Sequence, residues 1–280
     1  MSIESNSTQI LNLTNTYNSS GQNNILRINL NSTLNLRDYF VALSNLQFYY
    51  SYPNISPSKN NTTFEYIWID STVYSIVMPE GLYTISDISG YLQNQMVLNG
   101  HYLVDNNGDF YYFISIEANR VYQKCTITVN PVPAVLPTGW TNPASIILPA
   151  SDTTPQLTIL GNGLETVLGI TAGDYPSTPQ GTQFAQNGQN IPQITDVIAI
   201  NCTTNLINTN FFNQSPNTIY TFSPQSGFAE LINERPPQLV WYECIGSSVN
   251  YIELRLTDQL NRDLNMLDPT FCATLYLRKK

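Results

Sequence analysis

A single histidine, His101, bounds the chemistry this chain can perform near neutral pH. A Ser-His-Asp site, a Cys-His site or a His-rich metal site would each have to be built on that one imidazole, so most hydrolase templates fail on inventory. Cys125, Cys202, Cys244 and Cys272 lie far apart, contain no C-x-x-C and each sit in an apolar or strand-like segment. That placement predicts buried, reduced thiols acting as small hydrophobes. Asp105, Asn107 and Asp109 have the opening spacing of a calcium loop, but Phe110 and Ile116 stand where such a loop needs Gly and Glu. An Asn107-Gly108 hairpin turn is expected instead. Gly161-Asn162-Gly163 and Gly169 flank a short helical stretch, yet no Gly-Lys-Ser/Thr follows and no G-x-G-x-x-G is present, so a turn is expected there rather than a phosphate cradle.

The carboxylates Asp258, Asp263 and Asp268 are the remaining candidates for chemistry, because they share one connection between two strands and could surround a cation with oxygen. Tyr49, Tyr50, Tyr111, Tyr112, Trp68, Trp140 and Trp241 could build a stacking platform for sugars, Trp140 being the one set in a Pro-rich loop. Core and interface packing accounts for most of them. No catalytic, metal-binding or cofactor-binding residue is assigned, and no cofactor is expected.

These side chains must be positioned by strands. Of 280 residues, 11 are Lys or Arg and 20 are Asp or Glu, and the charged share is 11%, where roughly a quarter is usual. Asn, Thr, Ser, Gln and Tyr fill the gap, a composition that suits strands and turns. The one basic run is Arg278-Lys279-Lys280, too little to neutralise a phosphate backbone, so no direct binding to nucleic acid is expected. No apolar stretch is long enough to span a bilayer, and residues 1–20 lack the basic start and apolar core of a signal peptide, so synthesis in the cytosol is expected. The sequons at Asn6, Asn31 and Asn54 then carry no functional weight.

Period-2 patterns predict strands over Asn24 to Leu30, Phe40 to Tyr50, Phe64 to Asp70 and Thr72 to Met78. From Thr84 the spacing turns helical, with Ile85, Ile88, Leu92 and Met96 on one face, Thr84 or Ser86 as cap and Asn99-Gly100 as stop. A small meander follows over His101 to Val104, Phe110 to Ile116 and Arg120 to Val129. Six prolines across residues 131–160 predict an irregular excursion, interrupted after it by a short helix over Leu164 to Leu168, and residues 173–193 read as another connection. Strands return at Thr195 to Cys202, Ile219 to Phe222, Gln238 to Cys244, Val249 to Thr257 and Phe271 to Arg278.

About eight principal strands outside the insertion fit an all-β, single jelly-roll sandwich, the insertion holding a short helix and a small meander. The expected organisation is a polar N-terminal arm over 1–22, a jelly roll from 23–80 and 191–280, and an insertion with outward loops over 81–190. The arm carries Glu4 and no Lys or Arg, which suits contact with protein rather than genome.

Three segments resemble a known family: Met78-Pro79-Glu80-Gly81-Leu82-Tyr83-Thr84 with the helix after it; Leu164 to Ile170; and Tyr251 to Asp258 with Arg262, Leu264 and Leu275-Tyr276-Leu277-Arg278. They are similar to the single jelly-roll penton, or minor capsid, proteins of icosahedral DNA viruses with double jelly-roll shells, a group spanning virophages, polinton-like viruses and large algal or amoebal viruses. The resemblance implies a non-enzymatic virion protein, assembled in the host cytoplasm, that forms a homopentamer at the fivefold vertex. It implies the major capsid protein as a neighbour and admits a fibre or host receptor as a further partner. It also makes Asp258, Arg262, Leu264 and Asp268-Pro269 a structural turn. The alternatives are a cement protein bridging major-capsid trimers, or a carbohydrate-binding jelly-roll module of a virion spike.

Overall fold

The computed structural model describes residues 8–208, 217–227 and 229–280. Glu4 and the Asn6 sequon lie outside the described residues. In chain order the strands are β1 (Thr8–Thr14), β2 (Ile25–Asn35) and β3 (Tyr39–Tyr49), then β4 (Thr63–Ile67), β5 (Val73–Val77), β6 (Leu103–Val104), β7 (Phe110–Tyr111), β8 (Ile114–Asn119), β9 (Lys124–Val129), β10 (Gln156–Ile159), β11 (Gly173–Tyr175) and β12 (Phe184–Asn187). The last group is β13 (Ile200–Thr204), β14 (Thr218–Phe222), β15 (Leu231–Glu234), β16 (Tyr242–Glu243), β17 (Ser248–Asp258) and β18 (Phe271–Lys279). Two α-helices, α1 (Ile85–Leu98) and α2 (Leu164–Leu168), fall within the middle group. The chain divides into two compact units, one running to Tyr52 and resuming at Val197, the other spanning Pro53–Asp196.

The first unit holds two antiparallel sheets, β1-β18-β3-β15 with β16 also on β3, and β14-β13-β17-β2. Ranking the eight main strands in chain order gives 1-8-3-6 in one sheet and 5-4-7-2 in the other, which is the jelly-roll arrangement. Strand alternation explains the core. Phe271, Ala273, Leu275 and Leu277 of β18 are buried, while Cys272, Thr274 and Tyr276 between them are half-buried. Ile252, Leu254 and Leu256 of β17 do the same on the facing sheet, where Ile252 and Leu254 pair with Ile28 and Leu26 of β2. Phe48 of β3 meets Phe222 of β14 from the other sheet at 6.3 Å between ring centroids, an edge-on contact that ties the layers together.

The second unit contains the sheets β11-β10-β4-β5 and β12-β9-β8 and the hairpin β6-β7. Its core joins Phe64, Tyr66, Met78, Phe113 and Ile127 to Ile88, Leu92 and Met96 of α1. Thr84 caps α1 in a full capping box with Asp87, and Asn99-Gly100 ends it, as the spacing predicts.

The structure differs from the expected boundaries at both ends of the first unit. Thr8–Thr14, expected in the arm, pairs along its length with β18. Its signal is short, with Leu11 and Leu13 turned towards the core and Ile10 exposed among polar residues. Strands β4 and β5, expected in the jelly roll, pair with each other, and β4 pairs with β10, in the second unit. Alternation reveals a half-buried strand but not its partner. That partner, β10, sits among the prolines of 131–160 where no ladder was expected, and β11 and β12 lie in the expected connection 173–193. The predicted strand Phe110 to Ile116 breaks into β7 and β8, Thr195 to Cys202 shifts to β13, and Gln238 to Cys244 shrinks to the two residues of β16.

Candidate functional site

His101 follows directly on the C-terminus of α1, its backbone N–H donating to Met96 O at 2.7 Å. The side chain is 7% exposed and lies parallel to Trp68, with centroids 3.9 Å apart. Tyr66 of β4, fully buried, stacks on Tyr74 of β5 and meets the imidazole edge-on. The Tyr66 Oη accepts from Asn99 Nδ2 at 2.8 Å and lies 2.9 Å from His101 Nδ1. Burial pushes the Tyr66 hydroxyl well above its ordinary value, so it keeps its proton. With Asn99 donating to that oxygen, the hydroxyl proton points at His101 Nδ1, which accepts it and leaves the proton of the neutral ring on Nε2. Burial also lowers the imidazole to about 4, the charge of Asp70 working against that shift, so the ring is neutral at pH 7.

His101 lines a cleft of about 380 Å³ together with Trp68, Asp70, Asn99 and the loop 144–149. Asn142 holds that loop, donating from Nδ2 to Ile146 O at 2.9 Å and accepting from Ile146 N at 2.8 Å. Ser145 between them sits at φ 57°, a left-handed conformation that the pinned loop enforces. Asp70 is the one carboxylate among the described lining residues, so the pair of acids that glycoside hydrolysis requires is not assembled there. Sequence reasoning singled out His101 as a lone imidazole but missed Tyr66, Asp70 and Asn99. The legible signal was Asn99-Gly100-His101 at a helix stop, a turn that folds the histidine back against the end of α1.

The other sequence candidates are dispersed or self-satisfied. Asp105 Oδ1 accepts from the N–H groups of Asn107 and Asp109, and the Asp109 contact chiefly holds the carboxyl below its ordinary range, so the calcium-like spacing is a hairpin turn. Glu165 Oε2 accepts from Asn162 N and Gly163 N, filling the place a phosphate would need. Asp258, buried, accepts from Leu260 N, Arg262 N and Arg262 Nε. Asp263 pairs with both Arg255 Nε and Nη2 at 2.6 Å, which holds its carboxyl low, and Asp268 accepts from Thr270 N. Three carboxylates with three partner sets form a structural turn. Among the described residues no group of three His, Cys, Asp or Glu converges as a metal site would require. All four cysteines are free; burial pushes the thiols of Cys125 and Cys202 up to about 12 and that of Cys244 to about 11.

The aromatics divide between core and surface. Trp68 and Tyr50 are buried, Trp140 packs on Tyr111 at 4.6 Å, and Trp241 lies under the Arg278 guanidinium at 4.2 Å. No helix among the described residues is long and apolar enough to cross a membrane.

The two outer faces of the jelly roll are unlike. The register of β1-β18-β3-β15 places Ile10, Asn12, Cys272, Thr274, Tyr276, Asn45, Gln47, Tyr49, Leu231 and Asn233 on one outer face, with charge confined to the end at Arg278, Glu243 and Lys280. Its polar groups bond across strands, Gln47 Nε2 donating to Asn233 Oδ1 and Thr274 Oγ1 to Asn12 Oδ1. On the other outer face Arg27 pairs with Glu253 and stacks over Tyr251, and Arg255 pairs with Asp263.

No protein-family model matches the chain, and no curated protein does. Among solved structures it is similar to that of the mavirus penton protein, at 12% identity and a TM-score of 0.44 with 98% of this chain and 100% of that one covered. It is also similar to the Sputnik virophage structure determined by cryo-EM, at 15% identity and a TM-score of 0.36 with 98% of each chain covered.

Proposed function

We propose that this chain is a structural subunit of a viral capsid, without catalysis, that self-associates as a homopentamer and closes the vertex of a shell built mainly from another protein. The observation that carries this reading is the contrast between the two outer faces of the jelly roll. A sheet face exposed only to water tolerates or gains from charge, as the ion-paired face does. A broad face of amides, hydroxyls, a tyrosine pair and aliphatics suits contact with protein, because interface cores are depleted in charge and enriched in aromatic residues. The segments around Met78 to Thr84, Leu164 to Ile170 and Tyr251 to Asp258 that resemble vertex proteins favour five copies over other numbers. On this reading the protein resides in the virion, is assembled in the host cytoplasm and has the major capsid protein as its shell neighbour.

Light scattering on the eluted peak of the full chain tests it. The expected mass is five times the 31.4 kDa chain, and it should hold as salt rises, since uncharged contacts are little screened. A stable trimer or a monomer at every concentration would overturn the pentamer.

A further inference from the structure

We propose that the cleft beside His101 binds a neutral saccharide, with the imidazole Nε2–H as hydrogen-bond donor and Asp70 as acceptor. This inference rests on the Pro53–Asp196 unit and is independent of the capsid reading, whose test is a mass.

The recognising groups are His101, Asp70, Asn99 and Ser145, against a wall formed by Ile146 and Leu148. His101 is nine-tenths buried, yet only its Nδ1 is engaged, with Tyr66 Oη. Its remaining polar atom is Nε2, and His101 is part of the cleft lining. The stack on Trp68 and the edge-on contacts with Tyr66 and Tyr74 fix the ring plane, so the donor direction is set before any ligand arrives. Asp70 stands exposed at the same cleft with Oδ1 accepting from Thr72 N, a contact that chiefly lowers its carboxyl below the ordinary value and leaves further acceptor sites on the carboxylate. Asn99 spends one amide hydrogen on Tyr66, and its amide oxygen can accept a second group.

The ligand class follows from that set. An anion is disfavoured by Asp70 and by a chain of formal charge -9. A metal ion would find one carboxylate and a neutral donor N–H, too few ligands. A wholly apolar ligand would leave His101 Nε2–H unpaired. Sugars carry adjacent hydroxyls that both accept and donate, together with a C–H face that packs on aliphatic side chains, and they match each group present. The cleft volume, about 380 Å³, is in the range of small-molecule sites, roughly 300–1,000 Å³. Its wall is preformed, since Asn142 brackets Ile146 with two hydrogen bonds.

The chain has one histidine, so imidazole proton and nitrogen resonances report on this cleft without assignment ambiguity. The full-length protein is titrated with galactose, mannose, N-acetylglucosamine and lactose, and with N-acetylneuraminic acid as an anionic comparison. At least one neutral sugar should shift the His101 signals saturably, with a dissociation constant on the order of millimolar, and the anionic sugar should bind more weakly. Asp70→Asn, on an exposed side chain, should fold normally and weaken binding by about tenfold. His101→Phe should abolish it, with far-UV circular dichroism checking that the unit remains folded. The proposal is overturned if no neutral sugar moves the His101 resonances, or if the shift is unchanged in Asp70→Asn.

Discussion

Asp258 decides between a cation site and a structural turn, and its substitution series separates the two. The carboxylate is buried, while Arg262, which donates from Nε at 2.6 Å, has a side chain 58% exposed. The ion pair itself therefore contributes at most about 1 kcal/mol. More is held by Oδ1, which accepts from Leu260 N at 2.8 Å and from Arg262 N at 2.9 Å. Hydrogen bonds to a charged acceptor are worth roughly 1.5–3 kcal/mol each, and the low end applies because both donors belong to exposed residues that water can reach after the change. Asp258→Ala loses both of these bonds and the ion pair and should then cost about 4 kcal/mol. Asp258→Asn keeps an acceptor for both N–H groups and loses mainly the exposed ion pair, so it should cost about 1 kcal/mol. Amide hydrogen exchange on peptides covering β17 and β18 reads the difference directly. At about 1.4 kcal/mol per factor of ten, exchange through opening of these strands should speed up by roughly several hundred-fold in the alanine variant and about fivefold in the asparagine variant. Millimolar calcium should change none of these rates. If calcium slowed exchange in the unsubstituted protein, or the asparagine variant matched the alanine variant, the turn assignment would be wrong.

Three further outcomes follow from burial and backbone geometry. The imidazole of His101 titrates near 6.5 when unfolded and is held to about 4 when folded, so the folded unit resists a proton that the unfolded chain accepts. Stability is complete above about pH 6.5 and should fall by up to about 3 kcal/mol as the pH drops to about 4, checked by denaturant melts across that window; a flat profile would mean the ring is open to water. Native protein at about pH 8 should resist alkylation at Cys125, Cys202 and Cys244, which are buried with raised thiol values, and mass spectrometry finding a label on any of these three in the folded chain would contradict that placement. Gly169 ends α2 at φ 66°, and a Cβ there would stand 2.4 Å from Asn190 O, so Gly169→Ala should destabilise by roughly 2 kcal/mol or more, whereas a neutral melt would show that the 190 loop moves aside freely.

The jelly roll was legible where one face of a strand is apolar and the other wet. Strands β17 and β18 announce themselves because each places three or four aliphatic or aromatic residues at alternate positions, and helix α1 because Ile88, Leu92 and Met96 recur at helical spacing behind a Thr84 cap. Pairing was not legible. Strand β10 has only Leu157 and Ile159 as apolar markers, and its ladder to β4 joins residues some ninety positions apart, a relation that no local pattern encodes. The same limit moved β4 and β5 between units, because alternation is identical whichever sheet a strand joins.

The site follows the same division between local and non-local information. Turn-forming carboxylates were readable because Asp105, Asp258 and Asp268 bond to backbone within four residues, the short-range chemistry that makes Asp a turn residue. The role of His101 was not readable, since it depends on Tyr66 and Trp68 more than thirty residues earlier and on a loop more than forty residues later. The uncharged sheet face was half-readable. Composition alone required that charge be scarce on the surface, but only the strand register reveals that one outer face carries paired charges while the other holds its charges at one end and none in its middle. Scarcity is a property of the whole chain; the placement of the charges is a property of the fold, and it becomes visible only once the strands are in register.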